Sequence, residues 1–257
     1  MASAVLRSTI MSLSEIKIVL VGTTHPGNIG AAARAMKVMG LRRLFLVNPK
    51  FVPNAESYAL AAGADDILDG AVVVDNLSAA LGDCVRVYGT TARKRSLAWP
   101  VVTPREAAEG ALAETSNGTV ALVFGAEHSG LSNEDVTLCQ QLIRIPTAQD
   151  FSSLNLVQAV QVCAYELFVA TQGDSPQAKD RDPDDPPAST EDTERLFRHW
   201  ISVMTEVGYL FPDNPRLLPQ RVRRLLARSE FSVSETQIFR GFLAAVEKAY
   251  KNPTRGD

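Results

Sequence analysis

The sequence has too few cysteines and histidines for a disulfide framework or a metal centre. Its 257 residues include three cysteines, Cys84, Cys139 and Cys163, and three histidines, all of them far apart in the chain. An odd number of widely spaced cysteines excludes a set of structural disulfides and a cysteine-rich zinc site. We therefore expect no bound metal and a reducing compartment, and the predicted location is the cytoplasm.

The chain also lacks long apolar runs and an excess of basic residues. The apolar runs have the length of strands, well short of the ~20 residues that cross a bilayer, so we expect no membrane segment. There are 26 Lys and Arg against 29 Asp and Glu, a net charge of -3. This balance argues against a protein that coats nucleic acid without specificity. Aromatic residues make up only 7%, so the core is expected to consist mainly of aliphatic side chains.

Apolar runs of strand length alternate with helical patterns over residues 14–172. The runs predict strands at 16–21, 44–47, 71–74, 85–88, 119–124 and 142–145. Helical periodicity or start signals predict helices at 28–39, from about 104, and over 153–170. Strands that alternate with helices indicate an α/β fold with a parallel sheet covered on both faces.

The composition changes after residue 172. Residues 173–190 contain four prolines and five aspartates but no large apolar side chain, which predicts a flexible linker. Residues 191–257 have helical periodicity and predict a small all-helical C-terminal domain of about three helices. Residues 1–13 are typical of either a weak targeting segment or a disordered N-terminus, and we expect the disordered N-terminus.

Loops rich in small residues follow several predicted strands, at the edge where open α/β sheets bind ligands. Residues 23–30 run into a helix for which Asn28 is a candidate N-cap. A second loop places Glu127 next to His128, a candidate acid/base pair, although such neighbours often occur by chance. Neither a Gly-x-Gly-x-x-Gly fingerprint nor a P-loop is present, which disfavours a nucleotide-dependent oxidoreductase.

Four segments, in this order, resemble the motifs of the SPOUT methyltransferases. They are Thr-His-Pro-Gly-Asn-Ile-Gly-Ala-Ala-Ala-Arg-Ala-Met-Lys, Gly-Thr-Thr-Ala-Arg, Leu-Val-Phe-Gly-Ala-Glu-His-Ser-Gly-Leu-Ser-Asn-Glu and Ser-Ser-Leu-Asn-Leu. Each segment alone is a weak signal, but the four together cover roughly residues 14–170 and are specific. Within the superfamily the chain resembles the TrmJ subfamily of the TrmH-like group, which are tRNA ribose methyltransferases.

The resemblance implies a deep trefoil knot at the carboxyl end of the sheet, a homodimer, and S-adenosyl-L-methionine (SAM) as cofactor. It also implies 2′-O-methylation of a cytidine or uridine ribose at the nucleotide known as position 32 in the tRNA anticodon loop. Two alternatives stay open. One is an rRNA ribose methyltransferase of the same fold, and the other is a catalytically silent RNA-binding dimer.

The same resemblance implies the residues of the site. The implied SAM-binding residues are Thr90, Thr91, Ala92, Gly125, Glu127, Ile145, Ser152, Ser153 and Leu154. The implied catalytic residues are Asn28, Arg34, Ser153 and Asn155. A guanidinium keeps its proton at neutral pH, so we expect Arg34 to orient the nucleotide and stabilise charge developing on the oxygen, rather than to act as a base. The chain has Ala126 where relatives carry an arginine, which weakens phosphate binding by that loop.

Basic residues are concentrated at two places despite the acidic total. Arg93, Lys94 and Arg95 directly follow the second motif. An acid-free stretch at 214–229 contains the arginines Arg221, Arg223 and Arg224. Such clusters are often solvated helix faces, and the tail could also serve dimer packing. We expect these six side chains to contact RNA phosphates.

Overall fold

The protein is described by a computed structural model that covers residues 13–92, 99–148, 153–173 and 184–251. The chain forms two compact units, Met1–Asp180 and Arg181–Asp257. Of the predicted disordered N-terminus, only Leu13 lies among the described residues. Its side chain is buried in the core of the first unit, so Leu13 belongs to the fold and the prediction of disorder is wrong for this residue.

The first unit is built on a seven-stranded sheet in which every neighbouring pair is parallel. Its strands are β1 (Ile16–Val21), β2 (Arg43–Val47), β3 (Val72–Val74), β4 (Cys84–Thr90), β5 (Val101–Val102), β6 (Thr119–Phe124) and β7 (Gln141–Ile143). The strand order is β3-β2-β1-β6-β4-β7-β5. The predicted α/β class with a parallel sheet is confirmed. Sequence analysis missed β5, because two residues carry no periodicity.

Seven helices of this unit have assigned bounds. They are α1 (Pro26–Val38), α2 (Ala55–Ala61), α3 (Asp65–Asp69), α4 (Leu77–Leu81), α5 (Pro104–Glu114), α6 (Asn133–Thr137) and α7 (Leu156–Ala170). The predicted start of α5 is confirmed: Thr103 forms a capping box and Pro104 occupies the first turn. Sequence analysis missed α2, α3 and α4, whose five to seven residues are too short for a clear helical period.

The central strands are buried on both faces, as the continuous apolar runs predicted. All six residues of β6 and the first five of β1 are buried between the helical layers. On one side α1 packs very close to α2 at Gly30, where a Cβ would lie 1.9 Å from the carbonyl oxygen of Ser57. Only glycine permits this approach, which fixes the helix that follows β1.

The second unit contains α8 (Thr190–Glu206), α9 (Leu218–Ser229) and α10 (Val233–Lys251), as predicted for about three helices. Its core is formed by side chains from all three helices, including Leu196, Val222 and Leu243. The end of the predicted linker is held against this unit. The Ala188 amide donates to the Phe231 carbonyl at 2.8 Å, and the Val233 amide donates to the Pro186 carbonyl at 2.9 Å.

Candidate active site

The strand order brings four loops to one edge of the sheet. β1, β6, β4 and β7 are successive neighbours, so their carboxyl ends meet at the same place. A cleft of about 330 Å³ opens there. It is lined by all the described residues that the resemblance assigns to SAM, namely Thr90, Thr91, Ala92, Gly125, Glu127, Ile145, Ser153 and Leu154. Ser152 lies outside the described residues.

One wall of the cleft is a tight turn after β6. A Cβ on Gly125 would lie 2.1 Å from the backbone of both Gly130 and Leu131. The Gly130 amide donates to the Ala126 carbonyl at 2.8 Å, and Gly130 has a φ of 64°, in the left-handed region. The turn therefore requires glycine at both positions, which lets the backbone itself face the cleft.

The loop after β4 is held in place by its neighbours in the sheet. The Thr90 hydroxyl donates to the Val123 carbonyl at 3.1 Å, and the Thr91 amide donates to the Ile143 carbonyl at 2.9 Å. The apolar part of the lining comes from Phe124, Leu131, Ile143, Ile145, Leu154 and Leu156. A cleft of this size, lined by apolar side chains together with fixed polar groups, is typical of a site for a small molecule or cofactor.

Glu127 links the β6 loop to the β1 loop. Its carboxylate accepts hydrogen bonds from Asn28 Nδ2 at 2.8 Å, from the Thr24 amide at 3.1 Å and from the Thr24 hydroxyl at 3.0 Å. Partial burial acts to raise the pKa of the Glu127 carboxyl, but the hydrogen bonds from Asn28 and Thr24 outweigh it and hold that pKa below its ordinary value. Glu127 is therefore ionised at neutral pH and positions the two loops.

Two expectations about this region are wrong in the described chain. Asn28 does not cap α1: the N-cap is His25, Pro26 occupies the first position, and the Asn28 amide is turned to Glu127. His128 and Glu127 do not form an acid/base pair. His128 is exposed and makes no hydrogen bond or ion pair with another described residue, whereas the Glu127 oxygens are already occupied as acceptors.

Two family models match this chain. Residues 15–165 match the model of the SpoU rRNA Methylase family. The chain belongs to this family. Residues 191–255 match the model of the tRNA methyltransferase TrmJ C-terminal domain. The predicted family is thereby confirmed, and the protein is a methyltransferase of the SPOUT fold. The knot stays a prediction.

Named relatives match over nearly the full length of this SpoU family member. It is 41% identical to tRNA (cytidine/uridine-2'-O-)-methyltransferase TrmJ of Yersinia pestis, over 95% of this chain and 96% of the relative. It is 45% identical to tRNA (cytidine/uridine/adenosine-2'-O-)-methyltransferase TrmJ of Pseudomonas aeruginosa, over 92% and 95% of the two chains. Among solved structures, TrmJ from Z. mobilis ZM4 has 36% identity and a TM-score of 0.79, over 90% of this chain and 98% of that one.

The implied catalytic residues of this SpoU methylase have different surroundings. Ser153 is exposed and lines the cleft. Asn155 does not line it: its side chain accepts from the Val157 amide at 2.8 Å and caps α7. Arg34 is exposed on α1, is not among the residues that line the cleft, and has no hydrogen-bond or ion-pair partner within the described ranges. Its guanidinium is thus free to contact a ligand.

The basic residues predicted to contact RNA differ in availability. Arg93, Lys94 and Arg95 lie outside the described residues. In α9, Arg221 is exposed, whereas Arg223 forms an ion pair with Glu194 and lies 3.9 Å from the centroid of the Phe197 ring. Arg223 therefore holds α9 against α8. Arg224 is half-buried, and its Nε has no hydrogen-bond partner in the part of the chain that the structure describes.

Sequence analysis missed the contribution of Thr24 to the site of this SpoU methylase. Thr24 and Glu127 are 103 positions apart in the chain, so no local pattern connects them. The described ranges contain no group of three or more His, Cys, Asp and Glu that could hold a metal ion. No helix within them has both the length and the apolar character needed to cross a membrane.

Proposed function

We propose that this methyltransferase transfers a methyl group from SAM to a ribose 2′-hydroxyl of tRNA. The observation that carries the proposal is the near full-length identity of 41% and 45% to two proteins named as TrmJ tRNA 2′-O-methyltransferases. The second unit matches a domain described for a tRNA methyltransferase, which favours tRNA over the rRNA alternative. The exposed Arg34, which has no ion-pair partner among the described residues, and the cleft lined by the predicted SAM residues argue against a catalytically silent dimer.

The cleft suits SAM in size and chemistry. Its volume of about 330 Å³ lies within the range of small-ligand sites. The glycine turn at Gly125 exposes backbone groups to a ligand, and Ile145 and Leu154 offer apolar side chains to an adenine ring. We infer that Thr90, Thr91 and Ala92, together with the β6 turn, complete the SAM site. Bound SAM supplies a methyl group already activated on a sulfonium, so no metal is required.

The protein residues then have to align and polarise the ribose hydroxyl. Glu127 fixes Asn28 and Thr24 beside the cleft, and we assign it a positioning role. Arg34 orients the nucleotide and stabilises the negative charge that develops on the attacking oxygen. Ser153, exposed at the cleft, is placed to contact the ribose. The hydroxyl proton passes to a phosphate of the RNA, since a protonated guanidinium cannot accept it.

We further propose a homodimer in the cytoplasm. Helix α7 carries three large apolar side chains at its surface: Tyr165, Phe168 and Val169 are 50%, 37% and 36% exposed. Their burial by a second copy would remove this apolar surface from water. The target is a cytidine or uridine ribose at position 32. The name of the Pseudomonas relative also includes adenosine, so adenosine needs to be tested as a substrate.

The test is methyl transfer by the purified protein from labelled SAM to transcribed tRNA, with the site mapped as a 2′-O-methyl nucleotide. The matched control is the same tRNA with a 2′-deoxy nucleotide at position 32, which removes the acceptor. We expect label in the first RNA and none in the second. Label in an rRNA fragment but not in tRNA, or on a base, would overturn the proposal. Light scattering at assay concentration tests the dimer.

A further inference from the structure

The loop after β2 carries an exposed aromatic patch at the same edge of the sheet as the cleft. β2 is the direct neighbour of β1, so residues 48–54 lie beside the β1 loop. Phe51 is 43% exposed and Val52 is 58% exposed. The ammonium of Lys50 lies 5.5 Å from the centroid of the Phe51 ring. Lys50 is the one charged side chain in residues 48–55, and the exposed Glu56 follows them.

This patch is fixed relative to the site. The Lys50 amide donates to the Thr23 carbonyl at 2.9 Å, and the Asn48 amide donates to the Val74 carbonyl at 2.8 Å. Thr23 immediately precedes Thr24, which binds the cleft residue Glu127. The end of the loop is held by a capping box at Asn54, which begins α2. The Phe51 ring therefore lies on a loop that is held at both ends, and Phe51 directly follows the residue whose amide is bonded to the β1 loop.

The combination of an open ring and an unpaired cation has a specific chemistry. Lys50 makes no ion pair with any described residue, so its charge is not needed to hold the fold. An aromatic face stacks on an unpaired base, and an ammonium beside it neutralises a phosphate. A purely apolar protein partner would use Phe51 and Val52 but would leave the Lys50 charge unmatched. The positive charge therefore favours RNA.

We propose that Lys50 and Phe51 bind an unpaired nucleotide that flanks the methylated one. The Phe51 ring stacks on the base and the Lys50 ammonium contacts its phosphate, which holds the RNA strand open beside the cleft. The inference rests on the proposed function, because it requires RNA as the substrate. It makes Phe51 a positioning residue that acts through RNA binding and leaves SAM binding and the chemical step unchanged.

The first test compares Phe51→Ala, Phe51→Tyr and Lys50→Gln with Val72→Ala, an exposed apolar control on β3. The RNA is an anticodon stem-loop, and the readouts are its Kd, KM and kcat and the Kd of SAM. Loss of one stacked base should raise the Kd and KM of Phe51→Ala roughly fivefold or more, with kcat and SAM affinity within about twofold of wild type. Phe51→Tyr and Val72→Ala should behave as wild type.

The second test uses stem-loops with a single abasic nucleotide at each unpaired position. For the wild-type protein, removal of the base at one position next to the target should lower the affinity for the stem-loop. For Phe51→Ala, removal of the same base should lower the affinity no further. Equal additional losses at every position would overturn the inference, as would wild-type affinity in Phe51→Ala. A change in oligomeric state caused by Phe51→Ala would also overturn it and indicate a protein contact. If wild type neither binds nor methylates the RNA, the proposed function itself fails.

Discussion

The two edges of the parallel sheet use charged side chains in different ways. At the amino edge, Lys17 is 3% exposed and its ammonium pairs with Asp83 and lies 4.4 Å from the centroid of the Phe45 ring. Nearby, Arg86 and Glu114 form an ion pair at 3.0 Å, with both side chains almost fully buried. These charged groups pair with each other inside the fold. We therefore expect the pairs at the amino edge to contribute to the stability of the folded state.

At the carboxyl edge, Glu127 is held by uncharged groups rather than by an opposite charge. Glu127 accepts its hydrogen bonds from an amide, a hydroxyl and a backbone N–H, none of which neutralises it. Arg34 and Lys50 have no ion-pair partner in the described parts of the chain. The comparison teaches that the buried charges of the amino edge are paired with each other, whereas Glu127 at the cleft is held by uncharged hydrogen-bond donors alone.

The largest expected effect is at the carboxyl edge. Arg34→Ala should lower methyl transfer by about a thousandfold or more, because it removes both the alignment of the nucleotide and the stabilisation of the developing charge. Lys37→Ala is the matched control, since Lys37 is an exposed cation on the same helix that pairs with Asp66. Single-turnover rates and SAM titration measure the effect. Loss of SAM binding, or a nearly unchanged rate, would contradict the assignment.

Next in size is a stability effect at the amino edge. Glu114→Ala should lower the free energy of unfolding by about 3–5 kcal/mol, because it removes the carboxylate that pairs with the buried Arg86 guanidinium. Glu109→Ala, an exposed glutamate on the same helix, serves as control and should change little. Urea denaturation measures the difference. A decrease in the free energy of unfolding of less than about 1 kcal/mol would show that the Arg86–Glu114 ion pair contributes little to the stability of the protein.

Helix α9 contains both an exposed arginine, Arg221, and an ion-paired arginine, Arg223, and the expected effects of replacing them are smaller. Arg221→Ala should weaken tRNA binding about two- to fivefold and lower its salt dependence by one phosphate contact, with no change in stability. Arg223→Ala should instead destabilise the second unit by about 1–2 kcal/mol, because it loses the Glu194 pair and the Phe197 contact. Filter binding and thermal unfolding separate the two. If both variants weakened tRNA binding equally, the assignment of Arg221 to RNA binding and of Arg223 to stability would be wrong.

The smallest expected effect is the pH dependence contributed by Glu127. Its pKa is lowered in the folded state, so the carboxylate stabilises the protein above the ordinary value of 4.5, and this contribution is lost as the pH falls through the lowered folded pKa. Glu127→Gln should cost about 1 kcal/mol at neutral pH. The difference in the free energy of unfolding between Glu127→Gln and the wild type should disappear at acidic pH, as measured by urea denaturation at several pH values. A gap that widens as the pH falls would mean that the carboxylate is not stabilised by these hydrogen bonds.

Much of the fold could be predicted because its signals are local. The buried strands β1, β2 and β6 appear as continuous apolar runs, and the start of α5 has its cap and proline next to each other in the chain. Eight of the residues that line the cleft could be named because the resemblance to the family assigns them. The short helices and β5 could not be found, since few residues carry little periodicity and their positions depend on packing against the sheet.

The sequence by itself determined the class of fold, the helical C-terminal region, the family and eight of the residues that line the cleft. Only the tertiary structure decided the partners of the polar side chains. In the folded chain Asn28 donates a hydrogen bond to Glu127 and does not cap α1. Asn155 caps α7, and Arg223 forms an ion pair with Glu194. The physical reason is that periodicity and turn chemistry act between neighbours in the chain, whereas the state of a charge depends on groups that only folding brings within hydrogen-bond distance.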